Sequence, residues 1–262
     1  MAKAYERIAD ELRASIRAGQ LAPGDQLPPE SALVERFGRS HVTVREALRV
    51  LQVEGLIEKQ HGRGSFVRRP RTRVQRDNSR HQWEKDRARQ SDQERSETGA
   101  TEHDTGLGVN DLVFHAAYRE IGAPKEIAAA MGVPEGTALV ERTYRTRYSA
   151  ERAPFNLVTS YLIRERVASN PDLLDETKEP WPGGTWNQLY TVGIEIDRVE
   201  ERVTARPPKA EEAEELDLPP GTSVLVLRKT SYDTEGLVVD MSDITLPGDR
   251  TEMLFTTHLE RW

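Results

Sequence analysis

Residues 40–49, Ser-His-Val-Thr-Val-Arg-Glu-Ala-Leu-Arg, are followed twelve residues later by Gly62-Arg63-Gly64-Ser65-Phe66-Val67. The first stretch reads as a helix that starts at Ser40, whose hydroxyl is suited to cap the free backbone N–H groups of the first turn. Val44, Ala47, Leu48 and Leu51 recur at the spacing of one helical face. His41, Arg45, Arg49 and Gln52 fall on the opposite face, so one side is core and the other is hydrogen-bond donors. The second stretch reads as a hairpin, with LIEKQ and SFVRR as strands and HGRG as the turn.

Working outward, YERIADELRASIRAG reads as an amphipathic helix carrying Ile8, Leu12 and Ile16 and stopping at Gly19. LAPGDQLPPE is a turn that leads into a second helix, with Pro29 at its first position and Glu30 at the positive end of its dipole. That helix buries Leu33 and Phe37 and ends at Gly38. Three helices and a hairpin make a winged helix-turn-helix over residues 1–68.

Charge supports a polyanion partner. The chain of 262 residues has a net charge of −7, yet residues 39–76 hold ten Lys/Arg against three acids. From residue 105 onward the balance reverses, with 17 basic and 27 acidic residues. A basic block inside an acidic protein points to local contact with nucleic acid. An arginine on the outward helix face can make two hydrogen bonds to guanine in a major groove. Ser40 and Thr43 sit where a helix start can hold phosphate, and Gly62 and Gly64 let His61 and Arg63 approach a minor groove or the backbone. The DNA-contact set is therefore Ser40, His41, Thr43, Arg45, Arg49, His61, Gly62, Arg63 and Gly64.

These residues carry a family resemblance. Leu27-Pro28-Pro29-Glu30, Ser40 to Leu48 and Gly62 to Val67 closely resemble the DNA-binding domain of GntR-family bacterial repressors. The family often has Arg after the capping serine, where this chain has His41. The C-terminal region resembles the UTRA ligand-binding domain of the HutC subfamily, through the helix-GVPEGT-strand stretch, YRTRYSAERAPFNLVTSYL, the segment 199–233 and Gly248-Asp249-Arg250. The resemblance implies an α+β chain: an N-terminal winged helix-turn-helix followed by a chorismate-lyase-like α/β domain with an antiparallel sheet. It also implies a homodimer that binds a near-palindromic operator and answers to a small-molecule effector.

Three segments are expected: the head over 1–68, a charged flexible linker over 69–106, and an effector-binding and dimerisation domain over 107–262. The linker reading rests on the near absence of apolar residues other than Val74 and Trp83, which leaves little to bury; a transient helix fits near 81–95. Within the C-terminal region, residues 123–147 and 207–233 match at a shift of 85, with Glu126/Glu211, Ala128/Ala213, Pro134/Pro219, Gly136/Gly221 and Thr137/Thr222. Each copy reads helix, tight turn, strand. The match fits a duplicated half-domain, or two similar but unrelated units.

Arg145 and Arg147 lie two apart on an expected strand, hence on one face, and two guanidiniums there suit an anionic ligand. The resemblance adds Thr185 and Asp240 to this effector set. Val158 and Leu246 stand where the family has an acid and an aromatic residue. Surface ion pairs with the domain's many acids are the alternative for the two arginines. With no cysteine and no short histidine spacing, neither disulfide nor metal site nor cofactor is expected. No apolar run approaches the length of a membrane span, and no basic-then-apolar leader opens the chain, so a cytoplasmic protein is expected. No nucleophile–base constellation suggests an enzyme. A repressor with no ligand, whose C-terminal domain only dimerises, is the other reading of the function.

Overall fold

The computed structural model describes residues 3–260 and divides into two compact units. The first is built on residues 1–71. It contains α1 (Ala4–Arg17), α2 (Glu30–Phe37) and α3 (His41–Val53), then β1 (Ile57–Gln60) and β2 (Gly64–Val67). The two strands pair antiparallel from Ile57↔Val67 to Gln60↔Gly64, and Gln26 bridges Phe66 on the other side of β2. The expected apolar stripes do meet: Ile8, Leu12, Leu33, Val44, Leu51 and Val67 belong to one buried cluster. Pro29 is the N-cap of α2 rather than its first residue, and Gly38 ends that helix in the left-handed region at φ 60°. Truncating Leu12, Leu33 or Leu51 to Ala would cost about 2–5 kcal/mol, since each is shielded from solvent.

The second unit holds a six-stranded antiparallel sheet. In chain order it comprises β3 (Val74–Asp77), α4 (Arg80–Arg87), α5 (Asp92–Glu97), α6 (Ala100–Thr105), β4 (Leu112–Gly122), α7 (Lys125–Met131), β5 (Ala138–Tyr148), β6 (Leu157–Ile163), α8 (Arg164–Val167), α9 (Gly184–Thr191) and β7 (Ile196–Arg206). After an excursion that carries α10 (Ala210–Glu215), it resumes with β8 (Val224–Asp233), β9 (Val238–Pro247) and β10 (Thr251–Leu254). The sheet order is β4-β5-β6-β9-β8-β7, while β10 pairs in parallel with β3. Strands β4–β6 and β7–β9 thus form two halves that meet at β6 and β9.

The two halves reproduce the sequence repeat, and one difference between the copies is instructive. Gly136 and Gly221 occupy the same turn position, at φ 82° and 85°. Gly132 and Asp217, also 85 apart, both adopt the left-handed region after their helices. In the first copy α7 buries Ile127, Ala128 and Met131 on the sheet with Leu139, Tyr161 and Met241. In the second, Glu212 replaces the apolar residue at Ile127, and α10 itself buries nothing. Residues 207–223 instead cluster with the first unit. There Arg68 donates to the Asp217 carbonyl at 3.0 Å, and Gly221 lies so close to Val53 that a Cβ would come within 2.9 Å of its side chain.

The segment expected as a flexible linker is structured here. Residues 74–105 contain β3, α4, α5 and α6, and the transient helix near 81–95 corresponds to α4 and α5. What the linker reading overlooked is polar burial. Arg76, Arg80 and Asp104 are each less than a tenth exposed. Opposite charges drawn from distant parts of the chain satisfy one another, so few apolar residues are needed. Asn187 in α9 also donates to the Ala88 carbonyl at 2.7 Å, and Ala88 sits in one cluster with Leu162, Trp186 and Leu189. Among the described residues, no helix is long and apolar enough to cross a membrane, and no group of His, Asp and Glu could hold a metal ion.

Candidate nucleic-acid interface and effector cavity

Helix α3 begins as the sequence suggests. Ser40 is extended, its hydroxyl accepts from the Thr43 N–H at 3.3 Å, and the two hydroxyls lie 3.0 Å apart. Burial of Val44, Ala47, Leu48 and Leu51 turns His41, Arg45 and Arg49 to solvent. Both arginines are held by acids: Arg45 Nε lies 2.7 Å from Glu30 on α2, and Arg49 Nη2 lies 2.7 Å from Glu46. Such exposed pairs are worth about 0–1 kcal/mol, so the guanidiniums are positioned yet can be surrendered to a base or phosphate. The hydrogen bond from Arg49 holds the Glu46 carboxyl below its ordinary pKa. Arg13 makes a two-point contact with Glu54, at 2.8 and 2.7 Å, which ties α1 to the end of α3.

At the turn of the wing, Gly62 and Gly64 have φ of 72° and 113°, which side-chain-bearing residues avoid. Gln26 Nε2 donates to the Arg63 carbonyl at 2.6 Å and fixes the turn, while the Arg63 guanidinium lies 5.6 Å from the Phe66 ring centre. His61 and Arg63 are exposed. The reading of charges alone overlooked Val42, which is 76% exposed at the start of α3. An apolar side chain left in water beside the donors suits a thymine methyl.

The second unit encloses a cavity of about 460 Å³. One wall is the sheet, through Tyr144, Thr146, Val158, Ser160, Lys229 and Ser242. The facing wall comes from the 74–104 segment, through Arg76, Arg80, His81, Glu84 and Arg87. Trp181, Thr185 and Trp186 close it from the region around α9.

A buried polar network continues from the cavity on the same face of the sheet. Arg142 is entirely buried and donates to Gln188 at 2.6 Å, Ser160 at 2.8 Å and Thr185 at 3.2 Å, with Asp240 3.8 Å away. Asp240 accepts from Ser160 at 2.9 Å and pairs with Lys229 at 3.2 Å. Tyr144 donates to Glu179 at 3.1 Å, and Tyr118 donates to the same oxygen. Burial holds the Tyr144 hydroxyl well above the ordinary tyrosine pKa despite nearby Arg142, so it stays a proton donor.

The facing wall is an ion cluster. Arg80 bonds Asp104 and also pairs with Glu84 at 3.3 Å, while Arg76 reaches Asp104 at 3.7 Å and Glu201 of β7 at 3.4 Å. His81 Nε2 lies 3.3 Å from Glu201. Burial alone would raise the Glu201 pKa, but the bond from His81 and the charges of Arg76 and Arg80 bring it down to about 2. Burial likewise opposes a charged His81, and its two carboxylate neighbours outweigh that and raise its pKa.

Two expected effector residues, Arg145 and Arg147, lie away from this cavity. Arg145 and Arg147 do share one strand face, but it is the other one. Side chains alternate along β5, so Tyr144 and Thr146 point to the cavity. Arg145 and Arg147 share the parity of Leu139, which packs with α7. Arg145 donates to the carbonyls of Tyr144 and Val158, and Arg147 to those of Ser149 and Glu151; neither lines the cavity. Thr185 does line it. Asp240 is 1% exposed and does not line the cavity itself, but contacts the lining residues Ser160 and Lys229. Val158 lines the cavity, whereas Leu246 is buried with Leu227 and Ile244.

Comparison with known proteins yields matches to both parts of the chain. Residues 4–67 match the family described as bacterial regulatory proteins, gntR family, and residues 115–252 match the UTRA domain. The chain is similar to the HTH-type transcriptional regulator SCO4628 of Streptomyces coelicolor, at 31% identity over 91% of this chain and 86% of the relative. It is also similar to the HTH-type transcriptional repressor NagR of Bacillus subtilis, at 27% identity over 94% and 91% of the two chains. The solved structure of a GntR-family transcriptional regulator superposes with a TM-score of 0.63, at 26% identity and 98% coverage of both chains.

Proposed function

Because the chain belongs to the gntR family of bacterial regulatory proteins and carries a UTRA domain, it is a DNA-binding transcription regulator, and from that premise we propose that it is a cytoplasmic repressor released from its operator by a small molecule held in the cavity of the second unit. The head contacts DNA through the outward face of α3, with Arg45 and Arg49 reading bases and Ser40, His41 and Thr43 near phosphate. His61, Arg63 and the two wing glycines approach the adjacent groove or backbone. Two chains form a homodimer that spans a near-palindromic operator, each head taking one half-site. In domain terms, residues 1–68 bind DNA and residues 107–262 bind the effector and dimerise, with 69–106 contributing one cavity wall.

The observation that carries the effector reading is the cavity. It has the volume of a small-molecule site, mixed aromatic and charged walls, and a buried hydrogen-bonded polar network centred on Arg142 beside them. Residues around it that are costly to bury suit a site whose ligand repays part of that cost. A metabolite screen by thermal shift tests this, because a ligand that binds only the folded state must raise its melting temperature. Compounds that raise it are then added to operator-bound protein. Loss of DNA binding supports the reading, and a screen without stabilisers favours a repressor that acts without a ligand.

A further inference from the structure

Arg87 apart, the cationic side chains of the cavity are paired with carboxylates. Arg76 and Arg80 share Asp104, His81 faces Glu201, Lys229 faces Asp240, and Arg95 faces Asp92. Arg87 is different. It closes α4, is 5% exposed and lines the cavity, yet among the described residues no carboxylate lies within 4 Å of its guanidinium. Its Nη2 donates to the Arg95 carbonyl at 2.9 Å, its guanidinium sits 5.2 Å from the Trp83 ring centre, and its Nε has no acceptor. Glu84 and Glu102 favour its charge only through space, and burial outweighs them, so its pKa falls below the usual arginine value.

A buried cation with no anion in contact is an expensive arrangement, because water's solvation has been removed and only a carbonyl, a ring and more distant carboxylates replace it. A second group in the same cavity is also unsatisfied: the Trp186 indole N–H is buried and has no acceptor. The lining also carries five aromatic side chains, Phe114, Tyr144, Phe155, Trp181 and Trp186, beside the carboxylates of Glu102 and Glu179. One unpaired guanidinium calls for one negative charge, an unpaired N–H for an acceptor, and aromatic side chains for a planar body.

Resting on the cavity being the effector site, we propose that Arg87 is its anion-binding residue and that the effector class is a planar, largely apolar monocarboxylic acid. The guanidinium receives the carboxylate in a charge-assisted pair, and the aromatic residues sandwich the body. The unpaired arginine makes the site costly to fold, and a ligand of this class relieves that cost.

Full-length protein is titrated with benzoate, with its neutral isostere benzamide, and with phenyl phosphate. Binding is read from tryptophan fluorescence, since Trp181 and Trp186 line the cavity, and from the melting temperature. Benzoate should bind roughly 10–100-fold more tightly than benzamide, the difference a hydrogen-bonded charge supplies. Arg87→Gln should erase that preference, and Arg87→Lys should restore part of it. Should Arg87→Gln fail to fold, the benzoate-to-benzamide ratio of the wild-type protein and the lysine variant decide the matter. Equal binding of acid and amide by the wild type overturns the Arg87 assignment and leaves the cavity reading standing. Tighter binding of phenyl phosphate than of benzoate overturns the monocarboxylate class. Absence of any response to all three probes overturns the Arg87 assignment, and the metabolite screen alone then decides the cavity reading.

Discussion

Replacing Arg142 by Met should unfold the second unit more easily by about 3 kcal/mol. Arg142 has no exposed surface, and its guanidinium is held by Gln188, Ser160 and Thr185. Methionine fills much of the same volume, so the loss is mainly electrostatic. Removing one partner of a buried ion pair costs about 3–5 kcal/mol, because the other charge is left behind. Asp240 is that charge, but Lys229 remains 3.2 Å from it, which places the expected value at the low end. The assay is urea unfolding followed by tryptophan fluorescence. The first unit contains no tryptophan, so the signal reports the second unit alone. Asp240→Asn added to Arg142→Met should return at least about 1 kcal/mol relative to the sum of the single changes, a coupling expected of residues in one network. A loss below about 1 kcal/mol, or additivity within about 0.5 kcal/mol, would refute the claim that this buried charge is compensated by that network.

Arg45→Ala should weaken operator binding by about 1–3 kcal/mol and relax preference at one base pair per half-site, while stability shifts by no more than about 0.5 kcal/mol because the Glu30 pair is exposed. An unchanged ratio of operator to random-DNA affinity in an anisotropy titration would show that Arg45 reads no base. Gly221→Ala should destabilise the first unit by about 1–2 kcal/mol, since φ is 85° and the new Cβ meets Val53. Hydrogen exchange of the α3 C-terminal amides reads this directly, and unaltered protection would remove the contact. On the acid side, the Glu201 carboxyl falls from 4.5 to about 2 on folding, so its stabilisation, about 3 kcal/mol, is complete above pH 4.5 and lost as pH drops toward 2. His81 acts in the opposite sense: its raised pKa gives stability that is full below pH 6.5 and lost as pH climbs through the folded value. The urea midpoint should therefore be highest between about pH 4.5 and 6.5, and Glu201→Gln should flatten the acid limb; an acid limb identical to that of the wild type contradicts the assignment.

How much of this could be read from the chain depended on whether the stabilising contacts were local. In the head, Ser40 caps its helix through the N–H three residues ahead, Gly38 and Gly55 stop helices at their ends, and Gly62 and Gly64 make the turn; all are short-range signals. Residues 74–105 carry few apolar residues, and their partners are remote: Arg76 contacts Glu201, 125 residues away, and Ala88 contacts Asn187, 99 away. Some local signals were present in that segment, notably the Ser91–Glu94 capping box and the Arg80–Glu84 spacing, and they suffice for helices but not for burial. For Arg145 and Arg147, alternation correctly puts both on one face. Which face meets the cavity cannot be decided by polarity, because β5 carries Tyr144 and Thr146 on one side and two arginines on the other. The unpaired Arg87 is invisible in sequence, where it stands among acids at 84, 86 and 92 that in the fold go to other partners or to solvent.

The central claim, that occupancy of the cavity governs DNA binding, is tested by measuring operator affinity with and without a saturating compound that raises the melting temperature. Fluorescence anisotropy is used on the wild type and on Val158→Trp, which places a large side chain in the cavity wall. Affinity of the wild type should fall at least about tenfold with the compound, a coupling of about 1.4 kcal/mol, while the filled variant should show no response. A compound that stabilises the protein yet leaves operator affinity unchanged would contradict the account.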